Sequence, residues 1–142
     1  MIKRIFTTTL CSAVALGASF SVSASDEQSM DRLRDIARYV QYEFDVDCRD
    51  KARGERLNKG ETYTYSTTLY EGNDYYIFAA GDYNVDDLDI TLYDENWNEI
   101  DKDTQTDALP IVEVTPKWSG KFYVEVKMYA GRGYSNFAIC YG

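Results

Sequence analysis

The residues best suited to chemistry fall between Asp82 and Asp89. There Asp82, Asn84 and Asp86 spell D-x-N-x-D, and Asp87 and Asp89 follow at once. A calcium ion takes about six to eight oxygen ligands, and a short loop dense in carboxylates is one way to supply them. The run is not an EF-hand: the sixth position is Asp87 where a glycine is needed, and the twelfth is Tyr93 where a glutamate is needed. Two readings stay open, a calcium site built from Asp82, Asn84, Asp86, Asp87 and Asp89, and a solvated acidic turn. Asp101, Asp103 and Asp107 form a second acidic loop with a weaker claim.

The chain has no histidine. That removes the commonest general base, the Ser-His-Asp and Cys-His arrangements, and ordinary structural zinc sites. Carboxylate pairs remain as an acid and base for glycan cleavage, and Ser119 with Lys121 as a Ser-Lys pair. The run Trp118-Ser119-Gly120-Lys121 reads more simply as a turn entering a strand. No catalytic residue is therefore assigned. Trp97 and Trp118 both lie in turn-rich stretches, where an exposed ring anchors a protein or carbohydrate ligand at little entropic cost. A tryptophan capping the core would carry the same pattern.

These residues need elements to place them. Leu88, Ile90 and Leu92 alternate with Asp87, Asp89 and Thr91, the period of a strand with one dry face and one wet face. Phe122, Val124, Val126 and Met128 alternate with Lys121, Tyr123, Glu125 and Lys127 in the same way. Strands are expected near residues 62–69, 74–80, 88–93, 111–115, 121–129 and 134–141, with a weak one at 99–101, a pattern that specifies a sandwich or barrel. Residues 25–44 have Met30, Leu33, Ile36, Val40 and Phe44 at spacings of three and four, an amphipathic helix whose start Ser25 and Gln28 would cap. Residues 49–59 are rich in Arg and Lys and read as a charged, solvated connector. The expected fold is mainly β: a jelly-roll-like antiparallel β-sandwich over 60–142, preceded by one amphipathic α-helix in a disulfide-linked segment, 25–48.

Residues 1–24 carry Lys3 and Arg4, an apolar run interrupted by Ser, Thr and Gly, and Val22-Ser23-Ala24 at the end, the pattern of a secretory signal peptide. Removing Lys3 and Arg4 from 15 basic residues leaves 13 against 24 acidic, a mature charge near −11. Nucleic acid is excluded as a partner on that balance, because phosphate backbones are held chiefly by Lys and Arg. With Cys11 lost alongside the signal, Cys48 and Cys140 are expected to form a disulfide in an oxidising compartment. If Phe137 and Ile139 face the core, Cys140 projects outward and ties the helix region to the outer side of a sheet. No membrane-spanning segment is expected in the mature chain, and the location is the periplasm or the cell exterior.

The runs GNDYYIFAAGDYNVDDLDITLYDENWNEIDKDT and PIVEVTPKWSGKFYVEVKMYAGRGYSNFAIC, within roughly 57–141, resemble the bacterial pre-peptidase C-terminal domains. The features that match are an aromatic strand ending in Gly81-Asp82, the run Asp87-Leu88-Asp89-Ile90 with Leu92-Tyr93-Asp94, and Trp118 to Val126 before the last strand. The resemblance implies a compact jelly-roll-like sandwich in an exported accessory module, some relatives of which bind extracellular matrix or calcium. The leading expectation is an exported, non-catalytic binding protein, calcium-supported in one version, whose partner is a protein or an envelope polysaccharide. Two alternatives stand beside it: an immunity-type inhibitor steered by charge toward a basic secreted toxin or cell-wall hydrolase, and a small carboxylate-dependent hydrolase of envelope glycans.

Overall fold

The computed structural model describes residues 25–49 and 53–142; the signal-peptide assignment falls on residues outside these. One helix, α1 (Asp26–Phe44), precedes nine strands: β1 (Asp47–Cys48), β2 (Arg53–Leu57), β3 (Thr62–Leu69), β4 (Tyr75–Gly81), β5 (Val85–Tyr93), β6 (Glu99–Asp103), β7 (Ile111–Val114), β8 (Gly120–Gly131) and β9 (Gly133–Tyr141). One sheet runs β1-β9-β4-β7, with β2 also paired to β9, and the other runs β3-β8-β5-β6; every pairing is antiparallel. This is an antiparallel β-sandwich with one helix.

The alternation decides what each face meets. Leu88, Ile90 and Leu92 of β5 and Phe122, Val124, Val126 and Met128 of β8 turn inward against Tyr75, Ile77, Phe137 and Ile139 of the facing sheet. The opposite side of that facing sheet, carrying Phe78, Ala80, Ala138 and Cys140, is covered by Leu33 and Val40 of α1. Each fully buried Leu, Ile, Val or Phe contributes about 1.5–3 kcal/mol, so both contacts between layers stabilise substantially. Helix α1 therefore sits where the outward projection of Cys140 requires, and a Cys48–Cys140 disulfide joins β1 to β9 beside it. Among the described residues, no helix is long and apolar enough to cross a membrane.

Two local details depart from the sequence reading. Ser25 does cap α1, its Oγ accepting from the Gln28 amide at 3.1 Å. The Gln28 side chain does not complete a capping box; its Oε1 accepts from the Tyr83 amide at 2.6 Å, so the helix start is tied to the turn after β4. The connector 49–59 is not a solvated loop throughout. Its residues 53–57 form β2, in register with β9 from Arg53 opposite Phe137 to Leu57 opposite Gly133, because an open sheet edge rewards any chain that can supply main-chain donors and acceptors. Leu57, the apolar residue of this stretch, is buried in the core.

The acidic face of β5 also differs from expectation. Asp87 and Asp89 do point away from the core, yet only 5% and 9% of their surfaces are exposed. The β5–β8 register shifts around Asp86 and Asp87 and places Asp89 opposite Lys127.

Candidate binding surface

Three turns converge at one end of the sandwich. Leu69 at the end of β3 pairs with Gly120 at the start of β8, and Tyr93 at the end of β5 pairs with Tyr123. The turns that follow β3, β5 and β7 are thereby brought side by side. The Gly72 amide donates to the Pro116 carbonyl at 3.1 Å, and the Glu71 amide to Ser119 Oγ at 2.8 Å. Ser119 is thus a structural acceptor joining two turns, and Lys121 lies 6.0 Å from the Tyr123 ring centroid rather than pairing with Ser119.

Trp97 dominates this end. It stacks on Tyr123 with ring centroids 4.0 Å apart and planes within 9°, and leans on Tyr93 at 5.6 Å. More than half of it, 53%, is still exposed. Its backbone is in the left-handed region, φ 63°, which a bulky side chain adopts only when its surroundings impose it. The surroundings here are Asp94. The buried Asp94 carboxylate accepts from the Asn96 and Asn98 amides at 2.8 and 2.9 Å and from Asn98 Nδ2 at 3.0 Å, while the Trp97 amide donates to the Asp94 carbonyl at 3.0 Å. These bonds, led by the one from the Asn98 side chain, hold the Asp94 carboxyl below the ordinary carboxylate range. The rim is polar. Burial pushes the Tyr93 phenol upward in pKa, and the nearby Glu125 and Glu99 carboxylates add to the shift.

Trp118 occupies the same end, in the turn before β8. It stacks on Phe122 at 5.7 Å and is 40% exposed. Gly120 links the two tryptophan turns: a Cβ there would lie 3.4 Å from Trp118 Cδ1 and 3.0 Å from Glu95 Oε1. Tyr70, exposed in the turn after β3, completes an aromatic set that the sequence reading only half recovered. The alternation of residues 121–129 puts Tyr123 on a wet face, and only the register of β5 on β8 reveals that Trp97 lies across Tyr123 and Tyr93. The spacing of Asp94, Asn96 and Asn98 was the available signal for a turn organised by one carboxylate.

The four aspartates and one asparagine of the acidic run fall on a turn and a strand face. Asp82 is buried, with Oδ1 accepting from the Asn84 amide and Oδ2 from the Tyr134 amide, both at 2.9 Å, so its carboxylate is consumed in fixing the β4–β5 turn against β9. Asn84 and Asp86 are exposed beside it, and Asp87 and Asp89 stand apart on the outer face of β5. Among the described residues, no group of three or more Asp, Glu, Cys or His side chains is arranged to hold a metal ion. Of the five residues in the calcium reading, Asp82, Asn84 and Asp86 belong to the β4–β5 turn and the start of β5, and Asp87 and Asp89 to the outer face of β5. Asp101 and Asp103 likewise serve the backbone, accepting from the Glu113 and Ile111 amides at 3.0 Å each.

No protein-family model matches this chain, and no curated protein sequence matches it either.

Proposed function

We propose that this is an exported, non-catalytic binding protein that holds an envelope macromolecule, protein or polysaccharide, against the aromatic end of its sandwich. The observation that carries the reading is Trp97: a half-exposed indole kept in a strained backbone conformation, stacked on Tyr123 and fixed by Asp94. Strain of this kind costs on the order of 1–3 kcal/mol, and a rigid exposed ring is what that cost secures. A flat indole face with carboxylates and phenols at its margin fits a sugar ring, whose apolar C–H face stacks while its hydroxyls reach the rim. The resemblance to pre-peptidase C-terminal domains supports an accessory role of the same kind. The Cys48–Cys140 disulfide supports an oxidising destination.

The test is the Trp97→Asn variant, measured by co-sedimentation with insoluble envelope glycans and by capture of purified envelope proteins. Asparagine accepts the left-handed conformation, so the relief of strain offsets the roughly 0.5–1.5 kcal/mol lost with the ring stack, and the melting temperature should hardly move. Affinity should fall at least about tenfold. Equal binding by the variant and the native chain, with both folded, would remove Trp97 from the binding surface. Failure of the native chain to retain any glycan or protein would end the proposal.

A further inference from the structure

We propose that the end of the sandwich opposite Trp97 carries a second binding site, a cleft that takes an oxyanion on a small hydroxyl-rich body, with Lys59 and Arg132 as its cationic groups. The cleft measures about 680 Å3 and is lined by Asn58, Lys59, Asn84, Gly131 and Arg132. It is open to solvent, with Asn58, Lys59, Asn84 and Arg132 all exposed, and its volume falls in the range of small-molecule sites, roughly 300–1,000 Å3. In a chain with a formal charge of −9, the described residues of this lining are two cations, two side-chain amides and a glycine.

Both cations are free to meet a ligand. The ion pairs among the described residues join Arg34 to Asp31, Arg38 to Asp35 and Lys102 to Glu99, and none involves Lys59 or Arg132. An Arg guanidinium offers a planar fork that matches a carboxylate or phosphate, and a Lys ammonium adds a point charge. Asn58 and Asn84 supply donors and acceptors suited to hydroxyls.

The walls are set in advance. Three turns meet here: the Gly60 amide donates to the Met128 carbonyl at 2.7 Å, the Asp82 amide to the Tyr134 carbonyl at 3.0 Å, and the Asn58 amide to Glu61 Oε1 at 2.7 Å. Gly131, at φ 84°, lies so close to the Asn84 carbonyl that a Cβ would overlap it, so only glycine lets these two turns touch. Three carboxylates border the lining: Glu61 and Asp82, which accept from the Asn58 and Asn84 amides at 2.7 and 2.9 Å, and Asp86, whose Oδ2 lies 3.2 Å from where a Gly131 Cβ would stand. Glu61 and Asp82 are held by those backbone amides, whereas Asp86 is exposed and is the acid most able to compete with an anion for Lys59 and Arg132.

The experiment is a heteronuclear NMR titration of the native protein with three probes at constant ionic strength: glucuronate, inorganic phosphate and neutral glucose. Saturable shifts confined to Asn58, Lys59, Asn84, Gly131 and Arg132 are expected with an anion and not with glucose. A response to glucuronate alone assigns a carboxylate ligand, and one to phosphate alone assigns a phosphate ligand. Arg132→Gln should weaken the anion about tenfold, and Asp86→Asn should strengthen it. The proposal is overturned if neither anion produces localised shifts at ~50 mM, if glucose produces the same shifts, or if Arg132→Gln leaves the affinity unchanged.

Discussion

Two aspartates on one strand and its following turn illustrate how position sets the sign of a pH effect. Burial pushes the Asp89 carboxyl above the ordinary carboxylate range, with Asp87 and Asp103 adding to the shift and Lys127 opposing it. Its Oδ1 and that of Asp87 are buried without a hydrogen-bond partner. The folded protein therefore keeps a proton here that the unfolded chain releases, so this contribution is complete below the unfolded value and disappears as pH rises through the folded one. Asp94 acts in the opposite sense: its folded value is depressed, so its contribution is present above the unfolded value and is lost as pH falls through the folded one. Asp89→Asn should raise the melting temperature at neutral pH and flatten its decline from mildly acidic to neutral conditions. Asp94→Ala should lower the melting temperature at neutral pH and remove part of the acid-side loss. Melting curves from pH 3 to pH 8 read both, and a native curve that rises between mildly acidic and neutral pH would contradict the account of Asp89.

At the scale of elements, α1 and the β6–β7 pair make separate contributions. Leu33 is 3% exposed and packs on the outer side of the β9–β4 sheet, so Leu33→Ala should cost about 2–4 kcal/mol in denaturant unfolding. A cost under about 0.5 kcal/mol would mean that the helix is an ornament rather than a layer. Strand β7 ends its sheet, and the amides of Ile111 and Glu113 on its free edge are met by Asp103 and Asp101 from the other sheet. In an Asp101→Ala, Asp103→Ala double variant those two amides should exchange hydrogen at least about tenfold faster, while amides in the centre of β8 keep their protection. The alternation of Leu88, Ile90 and Leu92 was enough to place β5, and the spacing of Leu33 and Val40 enough to place α1. Strand β2 was hidden because Arg53 to Leu57 has the composition of a loop and becomes a strand only through an edge that β9 supplies.

For the molecule as a whole, the Cys48–Cys140 disulfide spans a sequence separation of 92 residues. Loop-closure reasoning gives a ceiling of about 4–5 kcal/mol, so reduction or a Cys48→Ser, Cys140→Ser double variant should lower the unfolding free energy by up to that amount while the far-ultraviolet spectrum stays β-rich. No change on reduction would show that α1 and β9 hold together unaided. The sandwich, its helix and this bond could be read from the sequence because periodicity and cysteine count are local or nearly so. The aromatic end could not be read in full. Trp97 and Trp118 stand out as residues, but the stack of Trp97 on Tyr123 and the union of three turns depend on strand register.

The carboxylates of Asp101 and Asp103 also decide what β7 cannot become. An uncovered strand end beside the exposed side chains of Leu109 and Ile111 would be a template on which another copy could add, and another on that, until the protein grew into fibres. By meeting the vacant donors with negative charge, two acids of β6 leave that edge a poor template for a further strand.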